Sequence, residues 1–295
     1  MNDARYLTLN LGGKWHGNYG STFCPAHQNT RTPALSLRDG EGGRLLAYCH
    51  AGCTFQAILE ALRGLGMVEG YCAYTPPDRA ELAHTRATDE AEAIKREGQA
   101  LRVWNEALPI SGTIAETYLR ARGITCDLPE VLRFHPEAWY GPSARRLPAM
   151  VALVEGCPRV AVHRTYLQLD GRGKATVAQP KMMLGATAGG AVRLVQGDGP
   201  LVVAEGIETA LSVASGLLSG PATIWAALSA SGIASLRLPD PEGQLKVATD
   251  GDETGRVAGT RLAERAGALG WNTSLWPAPD GCDWNDAVNG KGLKI

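Results

Sequence analysis

The chain has 295 residues, 44% of them hydrophobic and 20% charged, which is the composition of a folded protein with room for two or three domains. Its formal net charge of -1 excludes a uniformly basic surface but allows a local basic groove. No apolar run approaches the ~18 residues that a membrane span requires, and the first residues lack the features of a secretion signal. We therefore expect a cytoplasmic protein, in which the seven cysteines do not form structural disulfides.

Four metal-binding side chains stand in two short pairs near the N-terminus. Cys24 and His27 form a C-x2-H pair, and Cys49 and Cys53 form a C-x3-C pair, with room between the pairs for a two- or three-stranded ribbon. Thiolate and imidazole ligands at two such knuckles are typical of a closed, tetrahedral zinc site. His50 is an alternative to Cys49, which is favoured because thiolate binds zinc more tightly than imidazole. We predict one structural Zn²⁺ per chain.

The residues around these knuckles suggest a second property of the same region. Short strands are predicted over residues 34–37 and 45–48, and Thr54 is expected to cap the helix FQAILEAL. Cationic and aromatic side chains stand nearby: Lys14, Trp15, Arg31 and Arg38. Such a face can hold single-stranded nucleic acid through phosphate contacts and base stacking, or it can be an ordinary solvated rim.

The middle of the chain is predicted to begin after a loosely structured segment. Residues 63–88 contain GLG and TPPD with little periodicity, and are therefore interpreted as a linker after an N-terminal domain of residues 1–62. Residues 89–108 and the segment SGTIAETYLRARG are predicted helices, whereas residues 129–170 are rich in strand signals. Together they predict an α+β region over residues 89–196.

Acidic residues follow two predicted strands in the C-terminal region, residues 197–295, where strands alternate with helices as in a parallel α/β sheet. Glu205 follows LVVA, and Asp250 and Asp252 follow LKVAT. Functional groups gather beyond the carboxyl ends of such strands. Three carboxylates meeting there would repel each other unless a divalent cation neutralised them, and oxygen ligands favour Mg²⁺ or Mn²⁺ over zinc. The alternative is that these acids only cap helices and turns.

These motifs resemble those of a known family. EGIETA after one strand and TDGDETG after another are similar to the Toprim domain, which bacterial-type primases, topoisomerases and some nucleases share. CPAH with CHAGC resembles the zinc-binding domain of primases, and the order of the two modules resembles that of bacterial, phage or plasmid DNA primases. The segments GTIAETYLRARGI and KMMLGATAGGAVRL resemble the region before Toprim in a compact subfamily of mobile-element primases.

The resemblance implies both a fold and an activity. The fold class is α/β, or α+β overall, with an N-terminal zinc-ribbon-like module, an α+β middle region and a C-terminal Toprim parallel α/β sheet. The activity is that of a DNA-directed RNA polymerase of primase type, a nucleotidyltransferase of DNA replication. It would make short RNA primers from ribonucleoside triphosphates on single-stranded DNA, beside a separate replicative helicase.

Particular residues of the acidic set take roles from the same resemblance. Glu205, Asp250 and Asp252 are the implied catalytic residues, and with Asp283 they are the implied ligands of Mg²⁺ or Mn²⁺. Asp283 matches the first of two late family aspartates, with Asn285 in place of the second, and Thr209 stands where the family often has Asp. Whether Glu205 is a metal ligand or a proton acceptor is left open by the sequence.

The charge distribution agrees with such a site. Residues 156–196 contain six basic residues and one acid, whereas residues 197–290 contain five basic residues and twelve acids. A basic strip therefore lies beside an acidic region, and a template strand and a triphosphate would fit between them. The candidate nucleic-acid or nucleotide contacts are Lys14, Trp15, Arg31, Arg164, Lys181 and Arg193.

Two other functions are compatible with the same residues. A Toprim nuclease would use the same acids to hydrolyse a phosphodiester. A zinc-dependent single-stranded DNA-binding protein without catalysis would have lost its metal site at Thr209. A fused helicase motor is not expected, because the sequence has no G-x4-G-K-[ST] motif.

Overall fold

The structure, a computed structural model, describes residues 3–17, 19–27, 33–40, 44–68, 79–218 and 220–288, with backbone alone for residues 79–86. Two compact units divide the chain, Met1–Asp78 and Arg79–Ile295. The division falls inside the predicted linker of residues 63–88. Residues 79–88 are nevertheless helical, because RAELAHTRAT is rich in good helix formers and contains no proline or glycine. The predicted contact residue Arg31 lies outside the described residues.

The N-terminal unit is a four-stranded antiparallel sheet with two helices. Its elements are α1 (Ala4–Asn10), β1 (Lys14–Trp15), β2 (Gly20–Thr22), β3 (Leu35–Asp39), β4 (Leu45–Cys49) and α2 (Phe55–Gly64). The strands pair in the order β1-β2-β3-β4. The side chains of Asp3 and Thr54 cap the two helices by accepting the N–H groups of Tyr6 and Ala57. The sheet therefore has more strands than the predicted ribbon.

The core of this unit lies on one face of the sheet. Leu35 and Leu37 of β3 are buried together with Leu7 of α1 and with Ile58 and Leu62 of α2. Side chains alternate between the two faces of a strand. The residues between the buried ones therefore lie on the other face, where Arg38, Leu46 and Tyr48 are exposed.

The second unit begins with two helices and an antiparallel sheet. Its first elements are α3 (Arg79–Glu106), β5 (Leu108–Pro109), α4 (Ile114–Ala121), β6 (Leu132–Tyr140), β7 (Arg145–Val154), β8 (Ala161–Tyr166) and β9 (Lys181–Leu184). Each strand pairs with the next one in the chain, in the order β5-β6-β7-β8-β9. Ala100 of α3 packs on the sheet against Val151 and Val162.

The rest of this unit is a mostly parallel sheet with helices. Its elements are β10 (Val192–Val195), β11 (Leu201–Ala204), α5 (Ile207–Ser212), a π-helical turn (Val213–Leu217), β12 (Thr223–Ala226), α6 (Ala230–Ser235), β13 (Gln244–Ala248), α7 (Glu253–Ala268), β14 (Asn272–Leu275) and α8 (Trp284–Val288). The strand order is β10-β12-β11-β13-β14, and only β10 runs antiparallel to its neighbour. The predicted mixed α/β fold with a C-terminal parallel sheet is confirmed.

The two sheets of this unit share one hydrophobic core. Met150 and Ala152 of β7 belong to the same buried cluster as Ala204 of β11 and Leu211 of α5. The predicted regions 89–196 and 197–295 therefore belong to one compact unit. Strand β10 lies in the first of these regions, but it forms hydrogen bonds with β12 of the second. None of the described helices has the length and apolar character needed to cross a membrane.

Candidate functional site

The two predicted knuckles meet in the N-terminal unit. The ligand atoms of Cys24, His27, Cys49 and Cys53 all lie within 4.8 Å of one another. Nδ1 of His27 is 3.1 Å from Sγ of Cys53 and 3.8 Å from Sγ of Cys49. Gly52 adopts a φ of +90° just after β4, a conformation that favours glycine, and the chain turns there to bring Cys53 back to the cluster. The predicted ligand atoms therefore converge.

The alternative ligand His50 faces away from this cluster. Its Nε2 lies 3.0 Å from Oγ of Ser36, and its ring makes an edge contact with Tyr48 at 5.0 Å between centroids. Cys49 and His50 are consecutive at the end of β4, and consecutive side chains of a strand point to opposite faces. Cys49, which the sequence favours, therefore lies in the cluster, and His50 does not.

The chemistry of the cluster fits a soft divalent cation. Burial raises the pKa of the Cys24 thiol to about 12. Burial acts in the same direction on Cys49, but the backbone N–H groups of Cys53 and Ala51 outweigh it and lower the pKa of that thiol. Three sulfur atoms packed this closely are stable as thiolates only beside a positive charge, and three thiolates with one imidazole suit zinc. The group can hold a zinc ion.

The exposed face of the same sheet carries a row of residues in register. Lys14 pairs with Ser21, Ser21 with Ser36, and Ser36 with Tyr48, whose side chain is 66% exposed. Trp15 is on the opposite face, where it packs against the core and donates its indole N–H to the carbonyl oxygen of Gly17. The predicted stacking role of Trp15 is therefore not favoured. Tyr48, which the sequence analysis missed, is the exposed aromatic side chain of this face.

The predicted acids lie along one edge of the parallel sheet. Glu205 follows β11 and Asp250 follows β13, and these adjacent parallel strands are in register at Ala204 and Ala248. Asp252 caps α7 by accepting the N–H of Gly255 at 2.7 Å. Asp252 therefore caps a helix, which is the alternative role considered for these acids, but capping uses only one of its two carboxylate oxygens.

Asp283 reaches the same edge through a tightly packed loop. The N–H of Gly251 donates to the carbonyl oxygen of Cys282 at 2.8 Å, and that of Gly281 donates to Gly251 at 3.0 Å. A Cβ at Gly251 would collide with the carbonyl oxygen of Pro279, so only glycine permits this packing. We call Glu205, Asp250, Asp252 and Asp283 together the acidic edge.

The electrostatics of the acidic edge fit a hard divalent cation. Burial, together with Asp250 and Asp252, raises the pKa of Glu205 to about 7, and burial, together with Asp283 and Asp252, raises that of Asp250 to about 6. Oδ1 of Asp250 is buried and has no hydrogen-bond partner among the described residues. The donor atoms here are carboxylate oxygens, and like charges crowd Glu205 and Asp250. A hydrated ion with oxygen ligands suits this arrangement.

A cluster of opposite charge adjoins the acidic edge. Burial and the neighbouring acids raise the pKa of Glu205 and Asp250, and Lys181 of β9 offsets part of that rise. Its Nζ donates to Oε2 of Glu208 at 2.9 Å, and Lys174 lies 3.4 Å from the other carboxylate oxygen. Burial alone would raise the pKa of Glu208, but the two lysines hold it well below its usual value. Sequence reasoning missed Glu208, although it is the only charged residue between positions 206 and 217.

The two predicted arginine contacts differ in their exposure. Arg164 is 6% exposed, donates to the carbonyl oxygen of Trp139 at 3.1 Å and has its pKa lowered by burial. A guanidinium enclosed in this way is not placed to contact a template, so the predicted role of Arg164 is not favoured. Arg193 is exposed on β10, with its guanidinium 4.7 Å from the ring centroid of Trp225.

Family comparisons divide the second unit in two. Residues 200–294 match the family model described as Toprim domain, and residues 94–194 match one described as Domain of unknown function (DUF7146). Residues 200–294, which carry the acidic edge, therefore match the Toprim domain, as predicted. No curated protein matches the chain.

Solved structures to which the chain is similar include parts of primases. A DNA primase domain from Pseudomonas aeruginosa is 15% identical, with 67% of this chain and 75% of that chain covered and a TM-score of 0.40. The zinc-binding and RNA polymerase domains of the Aquifex aeolicus primase are 14% identical, with 97% and 79% covered and a TM-score of 0.41. The primase fragment of the bacteriophage T7 primase-helicase protein is 19% identical, with 48% and 62% covered and a TM-score of 0.32.

Proposed function

We propose that the protein is a DNA primase-like enzyme that makes short RNA primers on single-stranded DNA by metal-dependent nucleotidyl transfer. The observation that carries the proposal is the acidic edge after the parallel strands β11 and β13, within residues that match the Toprim domain and with Nζ of Lys181 beside Gly206. Carboxylates that hold a cation, beside an ammonium group, are the groups that a nucleoside triphosphate requires. The zinc-type cluster of the N-terminal unit supports the same function.

The acidic edge would hold Mg²⁺ or Mn²⁺ in this proposal. Asp250 is its central ligand, since its buried Oδ1 has no hydrogen-bond partner among the described residues and its carboxyl is crowded by like charges. Glu205, Asp252 and Asp283 complete the set. A bound metal ion would neutralise charge on the triphosphate and on the leaving pyrophosphate.

The protein's own side chains then position the reactants. The 3′ oxygen of one nucleotide bonds to the α-phosphorus of the next, the bond to pyrophosphate breaks, and the hydroxyl proton passes to a base. Glu205, with a pKa of about 7, suits the role of this base or that of a metal ligand. Lys181 would contact the triphosphate, and Arg193 would contact the template or a phosphate.

The N-terminal unit would select the template rather than perform chemistry. Its zinc ion would be structural, because four protein ligands leave no open position for a substrate. Lys14, Arg38 and Tyr48 provide phosphate contacts and a stacking surface for single-stranded DNA. A separate replicative helicase in the cytoplasm is the partner that this function implies.

One assay distinguishes the proposed function from its alternatives. The full chain is incubated with single-stranded DNA, ribonucleotides and magnesium, and the products are resolved by size; the Asp250→Asn variant serves as the control. We expect short RNA primers from the wild type and none from the variant. Nicked template would identify a Toprim nuclease, and binding without product would identify a non-catalytic DNA-binding protein. Repeating the assay with deoxyribonucleotides determines the sugar preference.

A further inference from the structure

Glu208 is a charged side chain in an enclosed position. The residue is 4% exposed and lies in α5, the helix that begins just after Glu205. An ionised carboxylate in such a position is costly unless partners satisfy it. Its partners therefore indicate what the residue does.

Three partners from three parts of the fold converge on this carboxylate. The hydroxyl of Tyr118 in α4 donates to Oε1 at 2.8 Å, and Nζ of Lys174, in the loop between β8 and β9, is 3.4 Å from the same oxygen. Nζ of Lys181 in β9 donates to Oε2 at 2.9 Å. Both carboxylate oxygens are thus occupied, and Glu208 brings two ammonium groups together.

The exposure of these side chains shows which of them a ligand can reach. The side chain of Glu208 is 5% exposed, whereas those of Lys174 and Lys181 are 30% and 38% exposed. Nζ of Lys181 also lies beside Gly206, the residue directly after Glu205, because a Cβ built on that glycine would be 3.8 Å from it. An anion that enters beside the acidic edge would therefore meet the lysines, while Glu208 stays behind them.

We propose that Glu208 is a positioning residue which, with Tyr118, holds Lys174 and Lys181 as a two-ammonium clamp for the triphosphate of the incoming nucleotide. The inference rests on the proposed function for the identity of this ligand. Each ammonium group has three N–H donors, so a bond to Glu208 leaves donors for phosphate oxygens. A lysine that is already held in place also loses less conformational freedom when the ligand binds.

The change in anion affinity caused by removing the charge of Glu208 distinguishes a positioning role from a direct electrostatic effect. Glu208→Gln removes one negative charge near the anion, and this change alone would strengthen anion binding. If Glu208 instead holds the lysines in place, the same substitution weakens binding. The two explanations thus predict opposite changes in the dissociation constant.

The experiment measures anion binding and catalysis on the same full-length variants. Inorganic tripolyphosphate is titrated by calorimetry into wild type, Glu208→Gln, Tyr118→Phe and the control Glu264→Gln, whose carboxylate is exposed on α7. We expect the dissociation constant to rise about tenfold for Glu208→Gln, to rise less for Tyr118→Phe and to stay unchanged for the control. In primer synthesis, the KM for ribonucleotides rises in Glu208→Gln, while kcat changes by less than about threefold.

Each outcome has a defined meaning. Folded Glu208→Gln protein that binds tripolyphosphate as tightly as wild type, or more tightly, overturns the inference. If that variant does not fold, Tyr118→Phe decides, and unchanged binding there overturns the inference as well. Glu208-dependent binding by a wild type that makes no primers supports the clamp and rejects the proposed function. Primer synthesis by a wild type whose tripolyphosphate binding does not depend on Glu208 leaves the proposed function standing and rejects the clamp.

Discussion

Single oxygen atoms determine what each carboxylate of the acidic edge can do. One oxygen of Asp252 accepts the N–H of Gly255, and one oxygen of Asp283 accepts the N–H of Asp286. Those oxygens hold the first turns of helices, whereas Oδ1 of Asp250 is buried without a hydrogen-bond partner among the described residues. Asp250 is therefore the carboxylate that gains most from a bound cation.

The first prediction concerns this carboxylate. Asp250→Asn should reduce primer synthesis by about 10²-fold or more, because stabilisation of charge in the transition state is lost. Glu205→Gln should be similarly damaging. Asp252→Asn should also lose most activity but keep its fold, since Asn caps helices as well as Asp does. Primer yield is measured across a magnesium titration, with Asp240→Asn, an exposed acid in a turn, as the silent control. If Asp250→Asn makes as much primer as wild type at low millimolar magnesium, Asp250 is not a ligand of the metal ion.

The second prediction concerns the dependence of stability on pH. The folded-state pKa values of Glu205 and Asp250, about 7 and about 6, lie above the ordinary values of 4.5 and 3.8. Protonation therefore favours the fold, and this contribution is lost as the pH rises through the folded-state values. The melting temperature of zinc-loaded, magnesium-free protein should fall between about pH 5 and pH 8. The melting temperature of Asp250→Asn should fall less steeply with pH. A pH dependence equal to that of wild type would contradict a raised pKa at Asp250.

At the scale of the element, β4 separates the cluster of Cys24, His27, Cys49 and Cys53 from the exposed face of its sheet. Cys49 points to the cluster, while Tyr48 and His50 point to solvent. One strand thus serves two purposes through the alternation of its side chains.

The third prediction tests the inner side of this strand. Cys49→Ser and Cys53→Ser should lose bound zinc, whereas His50→Ala should keep it. Because zinc binding contributes to folding, the two serine variants should also lose order in the N-terminal unit. Elemental analysis of the purified proteins measures the first effect, and limited proteolysis the second. Full zinc content in both serine variants would reject the cluster as the site.

The fourth prediction tests the solvent-facing side of β4. Tyr48→Ala should weaken binding of single-stranded DNA about tenfold, as expected for the loss of one stacked base. Trp15→Phe should leave the affinity unchanged, because Trp15 packs against the core. Fluorescence anisotropy with the full chain measures both, and Tyr6→Ala, an exposed tyrosine on α1, is the matched control. Equal affinities for Tyr48→Ala and Tyr6→Ala would exclude Tyr48 from the contact surface.

At the scale of the whole molecule, the chain divides into units at Asp78 and Arg79. The fifth prediction is that a protein starting at Arg79 keeps magnesium-dependent nucleotide binding but loses the selection of initiation sites. It retains all of α3, whose Glu97 forms an ion pair with Arg159 of the same unit. Primer start sites are mapped on one template for both proteins. Identical start sites would show that the N-terminal unit does not select the template.

The sequence predicts what depends on neighbouring residues along the chain. The knuckles are such a local signal, and their four ligand atoms lie within 4.8 Å of one another. The acids after the strands are another, and burial together with Asp283 and Asp252 raises the pKa of Asp250. Glu208 could not be interpreted in this way, since its partner Tyr118 is 90 positions away. The burial of Arg164 and the pairing of β10 with β12 are likewise set by packing between distant segments.

The pairing of β10 with β12 affects how this protein can be divided or recombined. The Toprim match begins at residue 200, but a chain cut there would lose β10 and the β7 residues that share its core. The severed piece would present an unpaired strand edge and an uncovered apolar surface, both of which promote aggregation. The start of the Toprim match is therefore not the start of the compact unit. A hybrid enzyme built by exchanging Toprim domains should therefore be joined before residue 79, so that the whole second unit is exchanged together.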